Sequence, residues 1–436
     1  MPENNGPDDK KSEPRQFINE KIVRQPLSKR EMLKRALGLF ATAVIFGIVA
    51  AVTFAVSRPV AERFFAKGST SESVPVTIPK DDPETAPSET ETMTSAAETE
   101  PIEDILKSAM EKYPFSVDDL NTLYGSLRSL VQKVDKGIVT VHSVKTQTDW
   151  FNNPVENSGL FAGVIIASAN QELLVLTPDG AVEDAEAIRV VFSDGTEVQG
   201  TIKQTDKLSG MAIVSVSTAD LGRALLEEIK ATPLGNSYSV RQGDLVVAIG
   251  GPAGMVHSVG YGFISYITKN VQVTDGITRI LYSDVKGNAQ TGTFLINTSG
   301  QIIGWVTDEH KNDGSKDMTA AMAISDYKSI LEKMSNGGSF PYFGIIGQEV
   351  SAVMNSNGMP LGVYVVDVNA DSPAYNAGIQ CGDIIKTMGE ETIVTMKDFQ
   401  AVLENSTPGD VIPVSVSRNG REEYKEIQYQ VTIGAR

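Results

Sequence analysis

The chain has a single cysteine, Cys381, which excludes an internal disulfide and a cysteine-rich metal site. If most of the chain is exported, hydrophobic cores rather than covalent staples must hold it together, and Cys381 is expected to pack as a small buried hydrophobe. Histidine is nearly as scarce. His142, His257 and His310 are the whole set, so the usual base of nucleophilic hydrolysis has only three possible origins. Positive charge is also in short supply: 38 Lys and Arg stand against 55 Asp and Glu, a formal net charge of −17. No basic cluster follows residue 68, which argues against a nucleic-acid partner, because phosphate binding needs clustered Lys and Arg. Nothing in the composition calls for a cofactor or a metal.

One stretch lacks charge altogether. Leu37 to Val56 is apolar and follows Lys29, Arg30, Lys34 and Arg35. About twenty such residues, at about 1.5 Å each, span roughly 30 Å, the thickness of a bilayer core. The expectation is one transmembrane helix over 36–57 that meets the membrane through 37–56, with a cytosolic tail over 1–35. The bulk of the chain would then be extracytoplasmic, on a single-pass cell-membrane protein. Ser57-Arg58-Pro59-Val60 follows instead of a small-residue cleavage site, so the anchor is read as uncleaved. Residues 68–101 are mostly Ser, Thr, Glu and Pro, with too little apolar surface to offset the entropy lost on folding, and are expected to form a disordered acidic linker. Ile102 to Lys112 and Ser116 to Val134 carry apolar residues at helical spacing (Leu120, Leu123, Leu127, Leu130, Val131), predicting two short helices.

Beyond Gly137 short β-rich runs alternate with turns: Gly137 to Val144, Leu160 to Ala167, Glu172 to Thr177, Ile188 to Phe192 and Val198 to Gln204. Ser193-Asp194-Gly195-Thr196 is a hairpin turn, since Asp-Gly supplies the positive φ that such turns require. Strands at this spacing predict a mainly β fold, a barrel or sandwich. The pattern continues to Thr307, and Ala321 to Met334 is expected to close this part as a helix. A second unit begins near Phe340 with Pro341-Tyr342-Phe343-Gly344-Ile345. Thr395 is placed to cap a helix through Phe399 and Leu403, and Asn419-Gly420 is placed at a final hairpin.

Several motifs occur in a fixed order: Gly159-Leu160-Phe161-Ala162-Gly163-Val164, Leu176-Thr177, Val191-Phe192-Ser193-Asp194-Gly195-Thr196, Pro233-Leu234-Gly235-Asn236-Ser237, Val240-Arg241-Gln242-Gly243-Asp244-Leu245 and Asn297-Thr298-Ser299-Gly300-Gln301. Together with the Phe343-Gly344-Ile345 segment they make residues 117 to 430 resemble the HtrA family of serine proteases. The resemblance implies a trypsin-like double β-barrel with N-terminal helices over 102–335, followed by a PDZ domain over 340–436. In active members the catalytic histidine stands three residues after the Thr of the Leu-Thr pair; here that position is Gly180. The catalytic aspartate precedes a Leu-Ala-Val-type strand; here Gly210 precedes Met211-Ala212-Ile213-Val214. Counted back from Asn297 and Gly300, Thr291 holds the nucleophile's position, in a loop one residue shorter than the family pattern. Ala289 replaces a glycine of the nucleophile turn. A hydroxyl attacks a peptide carbonyl only when a base takes its proton and a carboxylate orients that base, so the degenerate positions Gly180, Gly210 and Thr291 predict no catalytic residues.

In the second unit the resemblance assigns the capture of a peptide C-terminal carboxylate to backbone amides at Phe343, Gly344 and Ile345. Met396, Phe399 and Leu403 would form the other wall of the groove or, alternatively, plain core. Enlarging Gly344 is expected to weaken binding without unfolding the domain. Three functions remain open: a membrane-anchored pseudoprotease that binds peptide C-termini or unfolded proteins through the PDZ groove, an active serine endopeptidase of envelope protein quality control, and a passive envelope scaffold. Family members are often trimers, so the resemblance implies a homo-trimer as a possible assembly.

Overall fold

The computed structural model describes residues 74–83, 116–148, 154–310, 317–420 and 423–436. The expected cytosolic tail, the apolar span 37–56, the helix over Ile102 to Lys112 and most of the linker lie outside the described residues. Among those described, no helix is long and apolar enough to cross a membrane.

Capping chemistry sets the start of helix α1 (Val117–Asp135), where Ser116 and Asp119 form a reciprocal capping box that satisfies otherwise orphaned amides. Only its C-terminal half is core: Leu127, Val131 and Val134 are buried, whereas Leu120 and Leu123 are exposed. Six strands follow: β1 (Ile138–Thr148), β2 (Pro154–Ala169), β3 (Glu172–Pro178), β4 (Ala187–Val191), β5 (Glu197–Asp206) and β6 (Met211–Ser217). They close into a barrel in the order β1-β2-β3-β6-β5-β4. The Asp194-Gly195 turn joins β4 to β5 as expected, with Gly195 at φ +86°. A short helix, α2 (Arg223–Glu228), precedes the second set: β7 (Leu245–Gly250), β8 (Gly260–Val273), β9 (Gly276–Ser283), β10 (Thr293–Ile296), β11 (Ile302–Thr307) and β12 (Thr319–Ala323). These close in the order β10-β11-β12-β9-β8-β7. The double barrel implied by the resemblance is therefore the observed architecture.

The segment Ala321 to Met334, expected to be one helix, is divided. Its first residues end β12, which fills the gap between β11 and β9, and only Lys328–Ser335 is α-helical (α3). Alanine and methionine favour helix locally, but closing the barrel pairs the backbone of β12 on both sides, and that outweighs propensity.

One core runs between the barrels and under α1 and α3, with Ile138, Leu174, Leu176, Ile213, Ile249, Trp305 and Leu331 among its buried members. Each such side chain stabilises by about 1.5–3 kcal/mol relative to an exposed one. Trp305 packs edge-on against Tyr327 at 4.7 Å. Residues 74–83, inside the expected linker, lie against this body. Val74 N–H donates to Asn170, Val76 N–H to Asn336 and Ile78 N–H to Glu332. Asp81 pairs with the buried Lys328 at 2.8 Å.

The second unit begins with β13 (Pro341–Tyr342) and contains β14 (Ile345–Glu349), α4 (Ala352–Ser356), β15 (Val363–Val368), α5 (Pro373–Ala377), β16 (Ile384–Met388), β17 (Glu391–Thr392), α6 (Met396–Asn405), β18 (Val411–Asn419), β19 (Tyr424–Thr432) and β20 (Gly434–Ala435). The main sheet runs β14-β15-β16-β18-β19, with β17 on β16. Thr395 caps α6 in a second capping box with Asp398. Ser372 and Pro373 open α5, which ends at left-handed Gly378. Cys381, expected to be buried, is exposed, because the turn between α5 and β16 keeps it at the surface beside Asp367.

Candidate functional site

Gly180 and Gly210 are brought together by the fold. The chain leaves β3 at Pro178, and Asp179 N–H donates to the Gly210 carbonyl at 3.0 Å, which ties the Gly180 loop to the Gly210 turn. Gly180 and Gly210 line one cleft of about 390 Å³ with Phe161, Ser209, Ala289, Gln290 and Trp305. Thr291 is the next residue of the same turn. A Cβ at Gly180 would meet only Phe161, at 3.7 Å, and one at Gly210 would meet nothing within 4 Å. Gly210 sits at φ +68°, a region that side-chain-bearing residues adopt at a cost.

Among the described residues, Asp179 is the one titratable side chain that lines this cleft. Burial pushes its carboxyl above the ordinary carboxylate range, while its Oδ1 accepts the Gly180 N–H at 2.8 Å. No histidine lines it. His142 lies on β1. His257 Nδ1 sits 2.9 Å from Asp135 at the end of α1, and that bond holds the ring's pKa above its usual value. His310 accepts the Tyr282 hydroxyl through its own carbonyl at 2.9 Å, and burial lowers the pKa of its ring.

The Thr291 turn bears on acyl transfer through its amides. An oxyanion hole needs free amide donors, usually including that of the nucleophile itself. Here Thr291 N–H is taken by Asn288 Oδ1 at 2.8 Å. The Thr291 side chain lies over Gly251, where a Cβ would fall 2.4 Å from Thr291 Cγ2. The turn is pinned further by Ala162 N–H donating to the Thr291 carbonyl at 2.6 Å.

In the second unit the amides of Phe343, Gly344 and Ile345 do converge, with Gly344 at φ +92°. They already hold a carboxylate, that of Asp275. Phe343 N–H donates to Asp275 Oδ2 at 2.8 Å, Gly344 N–H to Oδ1 at 2.7 Å and Ile345 N–H to Oδ1 at 3.0 Å. Asp275 stands at the tip of the β8–β9 hairpin of the second barrel and is 7% exposed. Its own N–H donates back to the Ile345 carbonyl at 2.8 Å, and Thr274 bridges Ile346 in antiparallel fashion. Burial raises the Asp275 pKa, opposed by the three amide bonds and the Arg436 charge. Sequence reasoning missed this residue. Asp275-Gly276 is legible as a hairpin turn, but nothing local says where the hairpin points.

Of the two readings kept for the wall residues, plain core fits all three: Met396, Phe399 and Leu403 are buried in the core of the second unit, Phe399 edge-on to Phe343 at 5.3 Å. One helical face packs inward, and the residues of α6 that reach the cavity beside Asp275 are Gln400, Leu403 and Glu404. The expectation for Gly344 also changes. A Cβ there would fall 2.2 Å from Ser372 Cβ, so enlarging Gly344 disrupts the packing of the loop itself.

Comparison with known proteins agrees with this architecture. A family model described as trypsin-like peptidase domain matches residues 161–304, and one described as PDZ domain matches residues 344–428. The chain is 27% identical over 291 residues to the serine protease Do-like HtrA of Bacillus subtilis, the match covering 62% of this chain and 63% of that protein. It is 24% identical over 317 residues to the serine endoprotease DegS of Haemophilus influenzae, covering 70% and 87%. A probable periplasmic serine endoprotease DegP-like of Halomonas elongata is 27% identical, with 64% of this chain and 57% of that protein covered. The chain thus spans less than two thirds of the first and third of these. A solved structure of the HtrA-type protease AlgW with a decapeptide shares the fold at TM-score 0.51 and 20% identity, covering 70% of this chain and 98% of that one.

Proposed function

From the premise that this chain has the domain composition of the HtrA-type proteases, a trypsin-like peptidase domain followed by a PDZ domain, we propose that it is a pseudoprotease: an extracytoplasmic binding module, membrane-anchored through residues 37–56, that holds peptide C-termini or unfolded proteins through its PDZ groove. The observation that carries the reading is the cleft lined by Gly180 and Gly210, with Thr291 next to it in the chain after Gln290, whose lining among the described residues offers no histidine and one carboxylate, Asp179. A nucleophile without a base and an orienting group is inert toward an amide. The Thr291 amide, engaged by Asn288, supports the same conclusion. The peptide-binding half rests on the convergent amides of Phe343, Gly344 and Ile345, an arrangement suited to a terminal carboxylate.

The test pairs two measurements on the full chain. A fluorophosphonate probe should leave it unlabelled, and peptides with free C-termini should bind in preference to their amides. Labelling at Thr291 favours a working endopeptidase instead. Neither labelling nor binding favours a passive scaffold. The anchor is tested by adding protease outside intact cells, which should degrade the chain beyond about residue 68 and spare the N-terminal tail.

A further inference from the structure

We propose that Asp275 is an internal ligand of the PDZ carboxylate loop, so that the β8–β9 hairpin tip closes the groove and a peptide C-terminus binds only by displacing it. The inference rests on the peptide-binding reading above and adds its regulation.

Each bond that an incoming peptide terminus needs is already made. A carboxylate in such a loop is held by successive backbone N–H groups, and the strand behind it pairs with the adjoining edge. Asp275 accepts from the amides of Phe343, Gly344 and Ile345, and it returns its own N–H to the Ile345 carbonyl. Thr274 takes the next pairing position, opposite Ile346 on β14. The occupant is also fastened on both flanks. Asn369 Nδ2 donates to Thr274 Oγ1 at 3.3 Å, and Ile277 packs against the apolar core of the second unit. Gly276 lies so close to α6 that a Cβ would fall 2.4 Å from Gln400 Nε2. The three amides that would hold a second carboxylate are all engaged.

A buried carboxylate is costly unless its lone pairs are met. The three amides meet those of Asp275, and in return the carboxylate satisfies amides that would be unpaired in an empty groove. Because the hairpin is part of the same chain, it competes at an effective concentration on the order of millimolar. The apparent affinity for a free peptide falls by the fraction of molecules that are open. Displacement would act directly on the barrel, since β9 runs on from the tip to Ser283, and the chain then enters the turn that carries Thr291.

The experiment compares the full-length protein with Asp275→Ala and Asp275→Asn, using labelled decapeptides that end in Val, Leu, Ile or Phe, each as free acid and as C-terminal amide. Removing the internal carboxylate should tighten binding of at least one free acid by roughly tenfold or more, leave the amides weak, and speed hydrogen exchange at Gly344 and Ile345 before any peptide is added. Asp275→Asn keeps the shape and one acceptor oxygen and should fall between the other two. It carries the comparison if the alanine variant melts. Equal affinity of the free acids for all three proteins would overturn this inference and leave the peptide-binding reading standing. Failure of every free acid to bind any of the three would overturn both, as would amides binding as tightly as acids.

Discussion

Restoring the triad is the sharpest test of an inert cleft, because the structure says how far restoration can go. Triad members act as a unit, and losing the nucleophile or the base alone forfeits about 10⁶-fold in kcat in a comparable enzyme. Gly180→His, Gly210→Asp or Thr291→Ser alone should therefore leave labelling by a fluorophosphonate at background. The triple variant places a side chain at each position, and at Gly180 and Gly210 the built Cβ meets nothing closer than 3.7 Å. Two obstacles remain. Gly210 sits at φ +68°, which costs an aspartate roughly 1–2 kcal/mol and aims its carboxylate by a backbone not shaped for it. Asn288 Oδ1 holds the Thr291 amide at 2.8 Å, and an oxyanion donor is worth about 10²–10³-fold in rate. The triple variant should thus react slowly, and adding Asn288→Ala, which frees that amide, should raise its labelling rate by about tenfold or more. Casein incubated with the unmodified chain should stay intact. Casein cleavage that disappears in Thr291→Ala would refute the argument, and so would full activity from Gly180→His alone.

Three further outcomes follow from charged pairs. Asp383 is fully buried and gripped by Arg418 at 2.6 and 2.8 Å; Arg418→Ala leaves that carboxylate only the Gln380 amide and should cost about 3–5 kcal/mol in urea unfolding of the second unit. Asp383→Ala should cost less, about 1–3 kcal/mol, because Arg418 has a 29% exposed side chain and can turn to water; the reverse order would contradict the assignment. Asp81→Ala should lower the melting temperature by leaving Lys328, 4% exposed, without its carboxylate at 2.8 Å, a loss of about 3 kcal/mol or more; an unchanged melt would mean that residues 74–83 contribute nothing to the body. Because the His257 pKa is raised by its bond to Asp135, that contact contributes fully below the unfolded value of about 6.5 and is lost as pH rises through the folded one. In Asp135→Asn, NMR titration of the ring should return toward about 6.5, and a titration that does not move would refute the pairing.

Short-range chemistry was legible in the chain alone. The Asp194-Gly195 turn and the cap at Thr395 depend on residues a few positions apart, and each is where residue type placed it. The order of motifs carried the architecture of two barrels and a PDZ domain, and the proposal that Gly180 and Gly210 stand where catalytic groups would be was drawn from their neighbours in sequence. The tertiary structure decided whatever depends on distant partners. Thr319–Ala323 is a strand only because β11 and β9 leave a gap for it. Met396 and Phe399 are core because of how α6 is rotated against the sheet. Thr291 lost its amide to a side chain whose orientation no motif specifies. Most of all, Asp275 meets Gly344 across 69 residues of sequence: the hairpin turn is local, but a buried carboxylate finds its donors only when distant parts of the chain come together, and no periodicity in either one records that contact.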